Sequence, residues 1–319
     1  MNDLLRFRLA AQDGAVTSGE ALECGYHWRD LGRLVARGEL VRVRTGAYVD
    51  AAMHASASAE QRHALRSFAV CRSFGGRLAI SHDGAVALAG LPLTRTAERI
   101  HLTRMTQGPT RTVAGVVTHP AIDAALVGVV RTLPCVRLPA ALLQVAALHG
   151  LEAGVVAADA AVHRRLTKVS DLRFALPGIR LGPGRGSATA MLELVDGRSE
   201  SVGESRTRLV LHALGLPVPE PQAEIRDARG VLVGRVDLFF RQQRTVVEFD
   251  GLLKYREEGQ RALVREKVRE DRLRALGLEV VRLTWRDLDD PGLVLDLVRA
   301  AFARAARTSS AGHHPHRSA

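Results

Sequence analysis

The chain has 319 residues, 46% hydrophobic and 25% charged, which is a length for two or three domains and a composition that excludes wholesale disorder and a coiled-coil rod. Aromatic residues make up only 4%, which argues against dedicated single-strand binding, since that mode stacks bases on aromatic faces. Forty-five Lys and Arg against 34 Asp and Glu give a formal charge of +11, which favours a polyanionic partner through counterion release.

The N-terminal stretch MNDLLRFRLAAQDGAV starts acidic and carries Arg6 and Arg8 within its apolar part, unlike a signal peptide. The longest apolar region, Pro139 to Val162, is interrupted by Gln144, His149, Glu152 and Asp159, so no membrane span and no membrane partner are expected. Cys24, Cys71 and Cys135 are too few and too scattered for a disulfide framework or a CxxC metal site. A reducing, cytoplasmic location follows as the expectation.

The first fifty residues read as three short helices and a hairpin. Thr17 or Ser18 can cap a helix running to Cys24, and Gly38 stands where a helix beginning near Trp28 should end. In that helix Leu31, Leu34 and Val35 form one face, while Arg29, Arg33 and Arg37, spaced by four, run along the opposite one. The segment LVRVRTGAYV then alternates Val41 and Val43 with Arg42 and Arg44 and turns at Thr45-Gly46. Helix, arginine-faced helix and basic hairpin make the layout of a winged helix-turn-helix, so these five arginines are the candidate DNA contacts. The segment WRDLGRLVARGELVRVRTGAYV also resembles the N-terminal domain of AbiEi-type antitoxins of type IV toxin-antitoxin systems, which implies a DNA-binding role and a cognate toxin as partner.

From residue 53 to 195 the sequence is rich in Ala, Val and Leu. Helical stretches near Glu60 to Phe74, Pro139 to His149 and Leu151 to His163 alternate with short β-like runs (ERIHLT, VAGVVTHP, GVVRTLP), which predicts a small mixed α/β domain. Ser81, His82 and Asp83 are sequence neighbours, and neighbours on one short segment point apart, so they read as a helix start and no catalytic grouping is expected here. LGPGRGSATA lacks the Lys-Ser/Thr end of a Walker loop and reads as a linker. The stretch 307–319 is expected to be a disordered tail whose three histidines could bind a transition metal adventitiously.

The chemistry concentrates in 196–306. GESRTRLVLHALG reads as a helix ended by Gly215, PVPEP as an extended exit, VLVGRVDLFF and TVVEFDG as two strands, and LEVVRLTW as a further strand after a long charged helix. Glu248 and Asp250 share a strand face. Asp237 lies in the preceding apolar strand, where an ionised group needs a partner or a metal. On adjacent antiparallel strands Asp237 and Glu248 would be close enough to share a divalent cation such as Mg²⁺. Asp271 falls with Val264, Val268 and Ala275 on a stripe of the charged helix that is expected to face inward. The alternative for these acids is an ion-pair cluster, with Asp237 against Arg235 or Arg282 and Glu248 against Lys254.

ESRTR, RVDLFF, VVEFDGLLKY and REDRLRALGLEVVRLTW together resemble the PD-(D/E)XK nuclease core and, more narrowly, the ExDG-containing domains similar to Vsr very-short-patch-repair endonucleases. The resemblance implies Mg²⁺ (or Mn²⁺) held by Asp237 and Glu248, with the Phe249 carbonyl as a further ligand, Glu204 as a helix acid near the metal, and hydrolysis of DNA phosphodiesters. Asp250 occupies the position of the superfamily's usual lysine, and Lys254 is the nearest ammonium that could replace it. The expected class is a multi-domain α/β protein with a winged helix-turn-helix at 1–52, a middle domain and linker at 53–195, and a nuclease-like core at 196–306. The rival expectation is a non-enzymatic DNA-binding regulator or antitoxin carrying a degenerate nuclease fold.

Overall fold

The computed structural model describes residues 1–251 and 267–311. Lys254 and the first part of the segment expected to form the charged helix lie outside the described residues, as do the three tail histidines. The chain divides into two compact units, Met1–Val195 and Asp196–Ala319, and both mix helices with sheet. No described helix is long and apolar enough to cross a membrane.

The first unit opens with helix α1 (Asp3–Ala11), strand β1 (Ala15–Thr17), helices α2 (Ser18–Glu23) and α3 (Trp28–Ala36), and a hairpin of β2 (Leu40–Arg44) and β3 (Ala47–Asp50). Thr17 caps α2 in a reciprocal box with Glu20, and α3 gives way at Gly38, whose φ of 69° suits a residue without a Cβ. The short strand β1, absent from the sequence expectation, pairs with β3, so the sheet order is β1-β3-β2. Leu31 and Leu34 are 1% and 4% exposed and pack on Leu5, Leu9, Val16, Leu40 and Tyr48. Each such burial contributes about 1.5–3 kcal/mol, which holds α3 with its arginine face outward.

The rest of this unit is built on a six-stranded sheet of β4 (Leu78–Ile80), β5 (Ile100–Arg104), β6 (Arg111–Val113), β7 (Val116–His119), β8 (Val127–Val130) and β9 (Leu133–Val136), in the order β6-β7-β5-β4-β9-β8. Helix α4 (Ala51–Ser56) leads into α5 (Ala59–Ser73), and α6 (His82–Leu88) follows β4. Helices α7 (Leu138–His149) and α8 (Leu151–His163) bury runs of small and branched residues. At Gly154 a Cβ would sit 2.3 Å from the Ala146 Cβ, so glycine lets α8 close on α7. After α9 (Val169–Ala175), the glycine-rich segment expected to be a linker instead turns into helix α10 (Arg185–Leu194), which buries Ala188, Met191 and Leu192. Its apolar residues recur at three- and four-residue spacing, a pattern that the flanking glycines mask.

The second unit runs helix α11 (Val202–Ala213), β10 (Glu220–Arg226), β11 (Leu232–Phe240), β12 (Thr245–Phe249), helix α12 (described over 267–275), β13 (Glu279–Leu283), α13 (Trp285–Leu288) and α14 (Pro291–Ala311). The sheet order is β10-β11-β12-β13, antiparallel except for the last pair. One face packs Leu238, Phe240, Val247, Val281 and Leu283 against α11 and α14, and the other packs Val236, Phe239 and Val246 with Leu273 of α12. Helix α14 runs on to Ala311, past the expected start of the tail at 307. Strand β10 begins within the extended exit of α11 and was not foreseen as a strand.

Asp271, expected to face inward, is exposed, and Val268 is 44% exposed. The buried side of α12 runs through Leu273, which is 0% exposed, with Leu276 beside it. Leucines bury more apolar area than the Val-Ala stripe offers, and they set the rotation of the helix.

Gly203 in α11 lies against β12, where an added Cβ would come within 2.1 Å of the Phe249 ring. Phe249 is itself held edge-on to Trp285 at 4.6 Å. Gly203→Ala is therefore expected to destabilise the protein by about 1–3 kcal/mol through overpacking, measured by denaturant unfolding. An unshifted midpoint would count against this close packing of α11 on β12.

Candidate functional site

The acids expected to act together come from the two central strands of the second unit. The register runs as far as the pair Leu238 and Val247, and Asp237 and Glu248 are the next residues on the two strands. The Phe249 N–H donates to Asp237 Oδ2 at 2.9 Å. Glu248 shares the α12-facing side of β12 with Val246 and is 7% exposed. Arg269 Nη2 donates to both of its carboxylate oxygens, at 2.7 and 2.8 Å. Arg282, its register partner on β13, lies 3.7 Å from Glu248 Oε2 and closer, 2.9 Å, to Glu270 Oε2. A carboxylate this deeply buried stays ionised only when paired, and α12 and β13 supply the pairing. Arg235, one of the partners considered for Asp237, reaches Glu200 at 2.8 Å.

Glu204 occupies the first turn of α11. Its carboxylate accepts from Ser201 Oγ (2.9 Å), the Glu200 N–H (2.9 Å) and Gln222 Nε2 (2.7 Å). Gln222 is the β10 residue between Pro221, which pairs with Leu238, and Ala223, which pairs with Val236, so it lies beside Asp237. Its φ of 54° departs from strand geometry and marks a local distortion at this point of the sheet. A chain of contacts thus links Glu204 through Gln222 to the strand pair that carries Asp237 and Glu248. Sequence reading did not single out Gln222 or Arg269. Asp250 follows β12, half-buried, and its N–H donates to the Leu283 carbonyl at 2.8 Å. Lys254 lies outside the described residues.

In the first unit Arg29, Arg33 and Arg37 are exposed along α3. Arg33 pairs with Asp30 at 3.0 Å, and the Arg29 guanidinium lies 5.1 Å from the ring centre of Trp28, which is 73% exposed. Arg42 is exposed and donates to Thr45 Oγ1 at 2.7 Å. Arg44 differs from the other four. It is half-buried with its guanidinium 4.8 Å over the Phe74 ring, and it lines a cavity of about 690 Å³ together with Arg77, Arg104 and Arg111.

A third grouping was missed from the sequence. His82, His101 and His119 bring their ring nitrogens within 4.8 Å of one another. Among the described residues this is the group of three or more His, Cys, Asp or Glu side chains that converges so closely, and the second unit's acids do not form one. Ser81 does precede a helix start, as expected, but the His82 ring meets partners 19 and 37 positions away. No short motif announces such a set. All three cysteines are buried, and burial pushes the Cys71 and Cys135 thiols up to about 12, far from metal-binding thiolates.

No protein-family model matches the chain. Two uncharacterized proteins of Mycobacterium tuberculosis, one from each of two strains, are 29% identical to it over 277 residues, a stretch covering 85% of this chain and 95% of each relative.

Proposed function

We propose that the chain is a DNA-binding protein whose second unit is an endonuclease-like core that hydrolyses DNA phosphodiesters with Mg²⁺ or Mn²⁺. The observation that carries this reading is that Asp237 and Glu248 adjoin the last register pair of the two central strands, with the Asp237 carboxylate on the Phe249 N–H and Glu204 tied to the same sheet by Gln222. The succession α11-β10-β11-β12-α12-β13, with antiparallel pairs followed by a parallel one, supports a PD-(D/E)XK-like core. Three helices and a hairpin sheet with an arginine face outward support a winged helix that docks on duplex DNA through phosphate contacts. A cytoplasmic location belongs to the same proposal.

The donor set, two carboxylates and the Phe249 carbonyl, suits a hard divalent cation. When bound, that cation supplies a water of lowered pKa and neutralises charge on the scissile phosphate. The chain's own groups prepare the place: the Phe249 N–H orients Asp237, and Arg269 pairs with the buried Glu248 carboxylate. Arg269 and Arg282 also set two guanidiniums, both engaged with carboxylates, beside the acids.

A second reading, a non-enzymatic regulator of the antitoxin kind with a cognate toxin as partner, is favoured by the Arg269–Glu248 pair. A guanidinium on both oxygens already brings the positive charge that a catalytic cation would supply. Incubating the full chain with supercoiled plasmid separates the two. Nicked or linear product with Mg²⁺ or Mn²⁺ and none with EDTA is expected. Duplex binding without cleavage assigns the protein to the regulator, and neither binding nor cleavage overturns both readings.

A further inference from the structure

We infer that His82, His101 and His119 form a three-histidine site for a divalent transition metal, Zn²⁺ in the first place, with a fourth position open to a small cavity. This site lies in the first unit. Its ligands and metal class differ from those proposed for the carboxylates, and it stands whether or not the protein cleaves DNA.

The fold assembles the three rings from separate elements. β5 and β7 run parallel as neighbours, and the register pairs His101 with Val117 and His119 with Thr103. The two histidines are therefore two residues out of step, which puts them on the same sheet face. His101 Nδ1 lies 2.8 Å from His119 Nε2. His82, the first residue of α6, stacks on His119 at 4.1 Å between ring centres and lies 5.2 Å from His101. In a tetrahedral Zn²⁺ site with Zn–N of 2.0–2.1 Å, nitrogens stand about 3.3 Å apart. A metal replacing the hydrogen bond between the two rings asks for an opening of about half an ångström.

His82 is held in place from several sides. Its backbone adopts φ 50°, a left-handed conformation that a non-glycine residue keeps only where the surroundings impose it. Its N–H donates to Gln144 Oε1 at 3.2 Å, and its Nδ1 contacts Ser81 Oγ at 2.9 Å, leaving Nε2 as the nitrogen to offer. Such a contact on the other ring nitrogen is how proteins orient a ligating imidazole. Burial lowers the pKa of all three rings, to about 4 for His101 and His119, with neighbouring imidazoles adding to it at His82 and His101, so each is neutral and carries a lone pair at neutral pH. Neutral imidazoles are the ligands that Zn²⁺, Cu²⁺ and Ni²⁺ prefer.

A cavity of about 110 Å³ borders His82 and His119, with Gln144, Ile122 and Arg180 also on its wall. That is room for water on a fourth coordination position, with a cationic side chain beside it to favour an anionic exchange ligand. Three protein ligands and an open position is the arrangement of reactive zinc sites, as distinct from closed four-ligand structural ones.

The test uses the full chain carrying His313→Gln, His314→Gln and His316→Gln, which removes the histidine-rich tail as a competing binder. Metal-stripped protein is titrated with Zn²⁺ against a chromophoric chelator, and with Co²⁺ while recording its visible absorption. One Zn²⁺ per chain, an intense Co²⁺ spectrum of four- or five-coordinate type and a Zn²⁺-dependent rise in Tm are expected. X-ray absorption should then count three imidazole nitrogens around the bound zinc. His101→Gln and His119→Gln should each weaken Zn²⁺ binding by 100-fold or more. No stoichiometric binding, unchanged affinity in both variants, or fewer than three imidazoles by X-ray absorption would overturn the site. The absorption measurement needs no variant of the three ligands to fold.

Discussion

Asp237→Asn is expected to lower metal-dependent plasmid cleavage by about 100-fold or more while leaving duplex affinity within a few-fold of the parent, since the loss falls on charge stabilisation at the reacting phosphate. The exchange is nearly isosteric, and the amide oxygen can still accept from the Phe249 N–H. The strand pair should therefore keep its register. Glu248→Gln is a harsher change because it takes the charge away from Arg269 and Arg282 in a place only 7% exposed. Arg269→Met probes the same pair from the other side. It leaves a buried carboxylate with Arg282 at 3.7 Å and is expected to destabilise the protein by up to about 3 kcal/mol, the lower end of the cost of breaking a buried ion pair. Kinetics at saturating metal and urea unfolding separate these effects. Equal cleavage by Asp237→Asn and the parent chain would remove Asp237 from the chemistry.

Replacing Arg29, Arg33 and Arg37 together with Ala should collapse duplex affinity at low salt and flatten its salt dependence. Each phosphate contact contributes about 0.9 to the slope of log affinity against log salt concentration, so three lost contacts remove about 2.7. Leu31 and Leu34 keep their places on the opposite face of α3, and Ala favours helix, so the fold should survive. Arg44→Ala is the internal contrast. Its guanidinium lies over Phe74, so its loss should affect packing near α5 more than the salt slope. A slope unchanged in the triple variant would show that the arginine strip is only a solvated face and would end the winged-helix reading.

Much of the local structure was legible because its signals are local. Thr17 or Ser18 as a cap, Gly38 and the alternation from Leu40 to Val49 marked the helices and hairpin of the first fifty residues, and those elements are present. Over its described residues, 267–275, the charged helix was legible as a helix but not in its rotation. Periodicity offered the stripe through Val268 and Asp271, whereas the sheet selected the side carrying Leu273. Strand β10 escaped notice because it follows a proline-rich exit and is made largely of polar residues whose strand character comes from pairing with β11.

By itself the sequence determined the α/β character of the chain, the cationic face of α3 and the presence of acids on two consecutive strands, since each depends on residue type and a spacing of a few positions. Only the tertiary structure decided what those residues meet. It brought the Asp237 carboxylate onto the Phe249 N–H, brought Arg269 onto Glu248 from 21 positions away, turned Arg44 onto Phe74, and gathered His82, His101 and His119 from three elements. The physical reason is the same in each case: strand register and helix rotation are set by burying the largest apolar side chains, a choice made between segments distant in sequence, and the polar groups take the neighbours which that packing leaves them.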